Sequence, residues 1–309
     1  MQSRYEEEFV ESAVMLCAMG RRPGAPALQV ARFHRERERL YAILDPDERN
    51  AAFFQLHLEW FREWGLDEVL NRVVAEYPVL PNALEVLAFR QARNRNAEGA
   101  ELYVNAAGGR HGVIAFCSER WLRAADLAAF LRHELMHLAD MVDPVFGYSP
   151  RLDLGRGTAI EQRLVRERYR VLWAVTIDGR LDRAGRATIA GRAQRQAEFD
   201  RAFSFWPESR RQEVFTALWT DPAPAHAGLL ALAADPRALR ATRQPLPGGS
   251  CPLCDFPTFH WVATAALNPQ VIAAIQAEFP SWTPDQGLCN RCAEVYESAR
   301  FPVPANLCV

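Results

Sequence analysis

The segment His133-Glu134-Leu135-Met136-His137 constrains this chain more than any other. It reads H-E-x-x-H inside an apolar-periodic stretch running from about Ala124 to Met141. On a helix, residues four apart stack on one face, so both imidazoles point the same way and can share one metal ion. Glu134 directly follows the first histidine, where it reaches a water on that ion as general base. Leu131, Leu135, Met136 and Leu138 are apolar, which predicts a buried helix, and a buried histidine pair needs a partner. Five-residue patterns also arise by chance on ordinary helices, so the rest of the chain must support this one.

Composition narrows the choices. With 309 residues, 49% of them hydrophobic, the chain can bury a sizeable core and suggests two domains with a small third module. A net charge of −2 supplies no global basic field for nucleic acid or anionic membrane. The sequence contains no lysine, which excludes Schiff-base and P-loop lysine chemistry. Met1-Gln2-Ser3-Arg4, followed by Glu6, Glu7 and Glu8, lacks the positive start of a secretory signal. The apolar run Ala13 to Met19 is too short to span a membrane. Seven cysteines are an odd number, and four of them form two C-x-x-C pairs; together these features predict metal binding in a reducing cytoplasm, with no membrane partner. Cys17, Cys117 and Cys308 are expected to pack as small hydrophobes.

Along the chain, helices are expected over Glu8 to Met19, Leu28 to Leu44, and Asp47 to Glu76 with a break near Gly65. The aromatic run Phe53 to Trp64 reads as core, and His34 and His57 as surface or satisfied core histidines. Leu84 to Phe89, Glu101 to Asn105 and His111 to Phe116 are short, partly alternating segments punctuated by glycines, the pattern of strands in a small sheet. Asp143-Pro144 ends the histidine helix, and the loop Val145 to Gly157 flanks the expected site. Thr158 and Glu161 form a capping box that opens a helix to about Ile177, with Gly179 as its expected stop. Residues 181–220 continue as helices with arginine-rich polar faces.

A catalytic zinc usually takes three protein ligands and keeps one position for water. Asp140 lies seven residues after His133, about 10.5 Å along a helix axis, too far for easy sharing of one tetrahedral ion; it is assigned to support behind the ligands or to capping. Asp178 continues the face marked by Ile160, Leu164, Val171 and Val175, and a core-facing carboxylate needs a cation. It is either the third ligand or a structural partner of Arg180, Arg183 or its own helix end. Tyr148 and His111 flank the histidine helix as candidate oxyanion donors.

A small sheet leading into an H-E-x-x-H helix resembles the layout of zincin metallopeptidases, in which substrate backbone lies along the edge strand. Trp173-Ala174-Val175-Thr176-Ile177-Asp178-Gly179-Arg180-Leu181-Asp182 is similar to the segment W-N-x-A-x-D-x-x-I-N of metallopeptidases encoded with von Willebrand-type domains. In that comparison Asp178 matches an acidic metal-ligand position, while Ala174, Thr176 and Asp182 depart from the pattern. The resemblance covers roughly residues 84–185.

Cys251-Pro252-Leu253-Cys254 and Cys289-Asn290-Arg291-Cys292 form a paired C-x-x-C set that can place thiolates around one tetrahedral Zn²⁺. Iron suits the same donors. A segment this short needs such a staple to hold a fold. A metallopeptidase core followed by a zinc ribbon is similar to SprT-like proteases, which act on DNA-bound proteins. Between Cys251 and Cys292, however, Arg291 stands alone against Asp255, Glu278 and Asp285, so nucleic-acid binding is disfavoured and a protein contact is preferred; Phe256, Phe259, Trp261 and Trp282 supply either its apolar surface or the small core of the ribbon. That family uses a histidine as third ligand. Here His226 falls in a Pro/Ala-rich linker and His260 inside the ribbon, and neither is well placed.

The expectation is therefore an α+β, mostly helical protein. It has a helical region over 1–83, a zincin-like core with helical extension over 84–220, a linker over 221–250 and a zinc-ribbon module over 251–309. His133, His137 and Asp178 would hold a catalytic zinc, Glu134 would act as general base on a protein or peptide substrate, and Cys251, Cys254, Cys289 and Cys292 would hold a structural zinc. The alternatives are a non-catalytic, zinc-stabilised interaction protein on the same scaffold and, more weakly, a SprT-like protease at nucleic acid.

Overall fold

In a computed structural model, residues 1–309 are described except 23–24, 151–157, 235–247, 263, 265–266, 281 and 299–309. The sheet that carries the histidine helix has four strands: β1 (Gln2–Tyr5), β2 (Val86–Gln91), β3 (Gly99–Val104) and β4 (Arg110–Phe116). Their order is β1-β2-β4-β3. β1 runs parallel to β2 and β2 parallel to β4, while β3 is antiparallel to β4 and ends the sheet. Alternation sets the faces: Leu87, Phe89, Ile114 and Phe116 enter the main core, whereas Arg90, Val113, Ala115 and Glu101 occupy the intervening positions.

The main core lies between this sheet and its helices. α1 (Glu7–Ala18), α2 (Ala27–Leu40), α3 (Pro46–Glu63), α4 (Leu66–Val74) and α5 (Val79–Ala83) precede β2. Asp45 caps α3 by accepting from the Asp47 and Glu48 N–H groups at 2.9 Å each. Phe9 meets Phe116 edge-on at a 5.0 Å centroid distance, and Phe61 meets Trp121 at 5.8 Å, so the aromatic residues of α1 and α3 are core, as their spacing predicted. His57 is buried among Phe33 and Phe53, and its Nε2 has no hydrogen-bond partner among the described residues; it is a core histidine but not a satisfied one.

After β4 comes α6 (Ala124–Val142), which carries the histidines. Leu127, Leu131, Leu135, Leu138 and Val142 recur at helical spacing and are buried against the sheet cluster. The back of α6 is pinned from the turn between α4 and α5: the Tyr77 hydroxyl donates to the Arg132 carbonyl at 2.7 Å, and Arg132 makes two 2.8 Å bonds to Glu76. Next are α7 (Ala159–Arg183), α8 (Arg192–Ala202), α9 (Glu208–Thr220) and α10 (His226–Ala234).

The structure departs from the sequence expectations in several places. β1 was not expected: Gln2-Ser3-Arg4-Tyr5 has no apolar alternation, and its strand character comes from pairing with distant β2. The capping box at Thr158 and Glu161 is present, but α7 passes through Gly179 to Arg183. A Cβ at Gly179 would collide with the Trp219 backbone, so this glycine serves close helix packing by α9, not a helix stop. Ile160 and Leu164 are exposed, while Val165, Tyr169, Leu172, Trp173 and Ile177 are buried, which rotates the inner face of α7 from the predicted one. Asp178 is fully buried nonetheless. Part of the expected linker is helical, since α10 starts at His226.

Two compact units divide at residues 229 and 230. In the second, β5 (Gly249–Ser250) pairs with β6 (Pro257–Thr258), and β7 (Trp261–Val262) with β8 (Leu288–Cys289). α11 (Pro269–Glu278) lies between β7 and β8 in the chain, and α12 (Asn290–Ser298) follows. Cys251, Leu267, Val271, Ile275, Trp282 and Leu288 form its small core. Trp282 is thus a core residue, whereas Phe256 and Phe259 are exposed. The chain as a whole is α+β and mostly helical. No helix among the described residues is long and apolar enough to cross a membrane.

Candidate functional site

α6 turns its other face toward α7, and its polar residues are engaged there one by one. His133 and His137 lie a turn apart with ring centroids 4.9 Å from each other. Asp178 Oδ1 sits 2.8 Å from His133 Nδ1. The same carboxylate accepts two bonds from Arg195 through Oδ2, from Nε at 2.8 Å and Nη2 at 2.5 Å. A lone buried carboxylate would cost several kcal/mol, and α8 supplies the compensating cation. The Nδ1 contact leaves Nε2 as the ring nitrogen of His133 free to bind a metal, with the ring orientation fixed from behind.

Asp178 therefore stands behind His133. In the sequence it reads as a third ligand, a partner of Arg180 or Arg183, or a cap for its own helix end; the structure places Asp178 inside α7 and pairs it with Arg195 instead, while Arg183 donates to the Trp219 and Asp221 carbonyls. Arg195 is 17 residues on, in a separate helix. Among the described residues, no third His, Cys, Asp or Glu donor gathers with His133 and His137 in a compact group.

Asp140 also takes a supporting position. Arg180 grips it with bonds of 2.8 and 2.6 Å, and Trp173 Nε1 donates to it at 2.7 Å. The Trp173 ring in turn meets His137 nearly perpendicularly, at 83° with centroids 4.3 Å apart. Asp140 thus acts on His137 through Trp173. Burial holds the His137 pKa well below its ordinary 6.5, with His133, Arg180 and Arg195 adding to the effect, so the imidazole is neutral, the form that ligates a metal.

Glu134 faces the sheet edge. Burial raises its carboxyl above the ordinary 4.5, opposed by His133 and by the Ala100 N–H, which donates to it from β3. Gly99 has φ +151°, a backbone state that other residues rarely adopt, and its missing Cβ would lie 3.9 Å from Glu134 Oε2. Glycine here lets the edge strand start beside the carboxylate.

Glu134, His137 and Met141 line a cavity of about 500 Å³. A second wall is one face of α7: Arg166, Tyr169, Arg170, Trp173 and Ala174. Segment 96–101 forms a third, with Arg90, Val113 and Ala115 beyond it, and Tyr148 and Pro150 close one side. Of the two candidate oxyanion donors, Tyr148 reaches the cavity. His111 does not line it, but pairs with Glu85 at 3.1 Å.

Sequence reasoning passes over Arg195 and the α7 arginines and assigns His226 to a linker. His226 is buried, its Nδ1 lies 2.7 Å from the Tyr169 hydroxyl, and its N–H donates to the Phe146 carbonyl at 2.8 Å. It positions Tyr169 on the cavity wall. The available signal was the apolar run Leu229 to Ala234 that follows it.

In the second unit, Cys251, Cys254, Cys289 and Cys292 bring their sulfurs within 4.8 Å of one another, a set that could hold a metal ion. The Cys289 N–H donates to Cys251 Sγ and the Cys292 N–H to Cys289 Sγ, each at 3.4 Å. Burial alone would raise the Cys251 thiol, but N–H groups of Cys289, Leu253 and Cys254 outweigh it and bring the thiol below its ordinary value. The thiolate is the ligating form. Cys17 and Cys117 are buried and free, as expected of small hydrophobes; Cys308 lies outside the described residues.

Comparison with protein-family models, with curated proteins and with solved structures gave no match to this chain. The resemblance to zincins therefore rests on the sequence motifs alone.

Proposed function

We propose that the chain is a zinc-dependent peptidase of the zincin type, acting on a protein or peptide through the cavity between α6, α7 and β3. One observation carries this reading: Glu134 and His137 open into the same cavity, beside the outer edge of the last strand of the sheet. His133 and His137 would hold the ion as neutral imidazoles, with Asp178 and Asp140 keeping the rings in place. Zinc, when bound, would polarise the scissile carbonyl and acidify water. Glu134 is suited to take the proton from attacking water and deliver it to the leaving amine, so that a C–O bond forms as the C–N bond breaks. β3 offers backbone groups to an extended substrate, and the Tyr148 hydroxyl is the candidate donor to the developing oxyanion. Cys251, Cys254, Cys289 and Cys292 are assigned a structural zinc in a ribbon module; tetrahedral sulfur ligation would also accept iron.

A second reading is favoured by a different observation. No third donor accompanies His133 and His137 among the described residues, which suits a non-catalytic interaction protein whose metal sits only at the cysteines. Metal content separates the two. The peptidase reading expects about two zinc ions per chain, falling to about one in His133→Ala/His137→Ala. A single metal ion, unchanged by the histidine substitutions and lost with the cysteines, supports the second reading and removes the first.

A further inference from the structure

The walls of the cavity are unequal in charge. Among the described residues three carboxylates line it, and each has a function or a partner. Glu134 is the general base in the reading above. Glu98 is bound by Arg120 at 3.0 and 2.6 Å and accepts from the Cys117 N–H at 3.0 Å. Glu101 pairs with Arg90 at 3.1 Å and takes the Tyr103 hydroxyl. Across from them Arg166 and Arg170 line the cavity from α7, and neither has a carboxylate partner among the described residues. The nearest acid in sequence, Glu167, is taken by Arg163 at 2.9 Å. Among the described residues, two guanidinium groups without a carboxylate partner, one turn apart on one helix face, thus face opposing walls whose carboxylates are used up.

We propose that Arg166 and Arg170 select substrates carrying carboxylate side chains close to the scissile bond: acidic peptide segments, not neutral or basic ones. Placing the scissile bond rests on the peptidase reading; the charge preference of the cavity does not. Trp173 touches His137, and Arg170 and Arg166 precede Trp173 by three and seven residues on the same helix. At about 1.5 Å per residue they stand roughly 4.5 and 10.5 Å along α7 from the histidine pair. An extended peptide advances about 3.3 Å per residue, so Arg170 and Arg166 fall roughly one and three residues from the bond being cut. A guanidinium fork matches a carboxylate in two parallel bonds, which gives preference over the isosteric amide.

The test uses two fluorescein-labelled ten-residue peptides, identical except that Glu residues flanking the central bond are Gln in the second. Binding is followed by fluorescence anisotropy with the Glu134→Gln protein, which retains the cavity, and cleavage with the wild type. The Glu peptide should bind roughly tenfold tighter or better, with the difference falling at high salt and lost in an Arg166→Gln/Arg170→Gln background. That result stands even if the wild type cleaves neither peptide, in which case only the peptidase reading fails. Equal binding of the two peptides, a preference that survives the double substitution, or no measurable binding of the Glu peptide overturns the inference. Wild-type cleavage of both peptides with equal kcat/KM overturns it while leaving the peptidase reading intact.

Discussion

Asp178 Oδ1 lies 2.8 Å from His133 Nδ1 while Arg195 holds the other oxygen, so one buried carboxylate orients a candidate ligand and is itself anchored by a third helix. Asp178→Asn keeps the shape and removes the charge. Arg195 would keep Glu198, at 2.6 Å, as its remaining counter-charge, so stability should fall by less than the about 3–5 kcal/mol of a fully broken buried pair. Zinc affinity of the histidine site should fall about 10–100-fold as the ring loses its support. Urea denaturation and zinc titration read the two effects. Unchanged zinc affinity alongside lost stability would make the triad purely structural.

Gly179 gives a second prediction. A Cβ at this position meets the Trp219 backbone, which cannot yield as a side-chain tip can. Gly179→Ala should therefore lower stability by about 1–3 kcal/mol, despite the better helix propensity of alanine. Gly191→Ala is the control, since a Cβ there meets nothing within 4 Å. Thermal melts that drop equally for both would contradict this account of helix packing.

Much of the site was legible in local patterns. The leucines of α6 recur with helical period on one side and leave His133 and His137 on the other, and Thr158 with Glu161 announces the start of α7 within four residues. The illegible parts depend on chain segments that meet only in three dimensions. Nothing around Arg195 marks it as the partner of Asp178, because the pairing is made by the packing of α8 against α7. β1 is polar and draws its strand character from β2. Gly179 carries the signal of a helix stop, but its physical reason is a close-packed neighbour. Proline and alanine around His226 read as linker, while its ring fills an aromatic cluster with Phe146, Tyr148 and Tyr169.

Acid should loosen the grip on the back of α6. Hydrogen bonds from Arg132 hold the Glu76 carboxyl below its ordinary 4.5. A depressed folded-state pKa means that the unfolded chain binds the proton first as pH falls. This contribution is thus fully present above about 4.5 and is lost as pH drops through the lower folded-state value. The stability difference between wild type and Glu76→Gln, followed by urea melts from neutral pH downward, should shrink over that window. A difference that stays constant to low pH would contradict the assignment.

The cysteine cluster predicts a metal-dependent unit. Cys251→Ser/Cys289→Ser should remove about one metal ion per chain and expose residues 249–298 to limited proteolysis, because a core this small needs the cross-link. Metal analysis and peptide mapping would show both changes together. Retained metal and unchanged protection would exclude the four sulfurs as the site.

The central claim is hydrolysis of peptide bonds with Glu134 as the base, and cleavage of a denatured protein by zinc-loaded wild type beside zinc-loaded Glu134→Gln tests it most directly. The account predicts cleavage by the wild type, a loss of about 100-fold or more in the variant, and equal zinc content in the two. No cleavage by zinc-loaded wild type, or equal cleavage by both proteins, would contradict it.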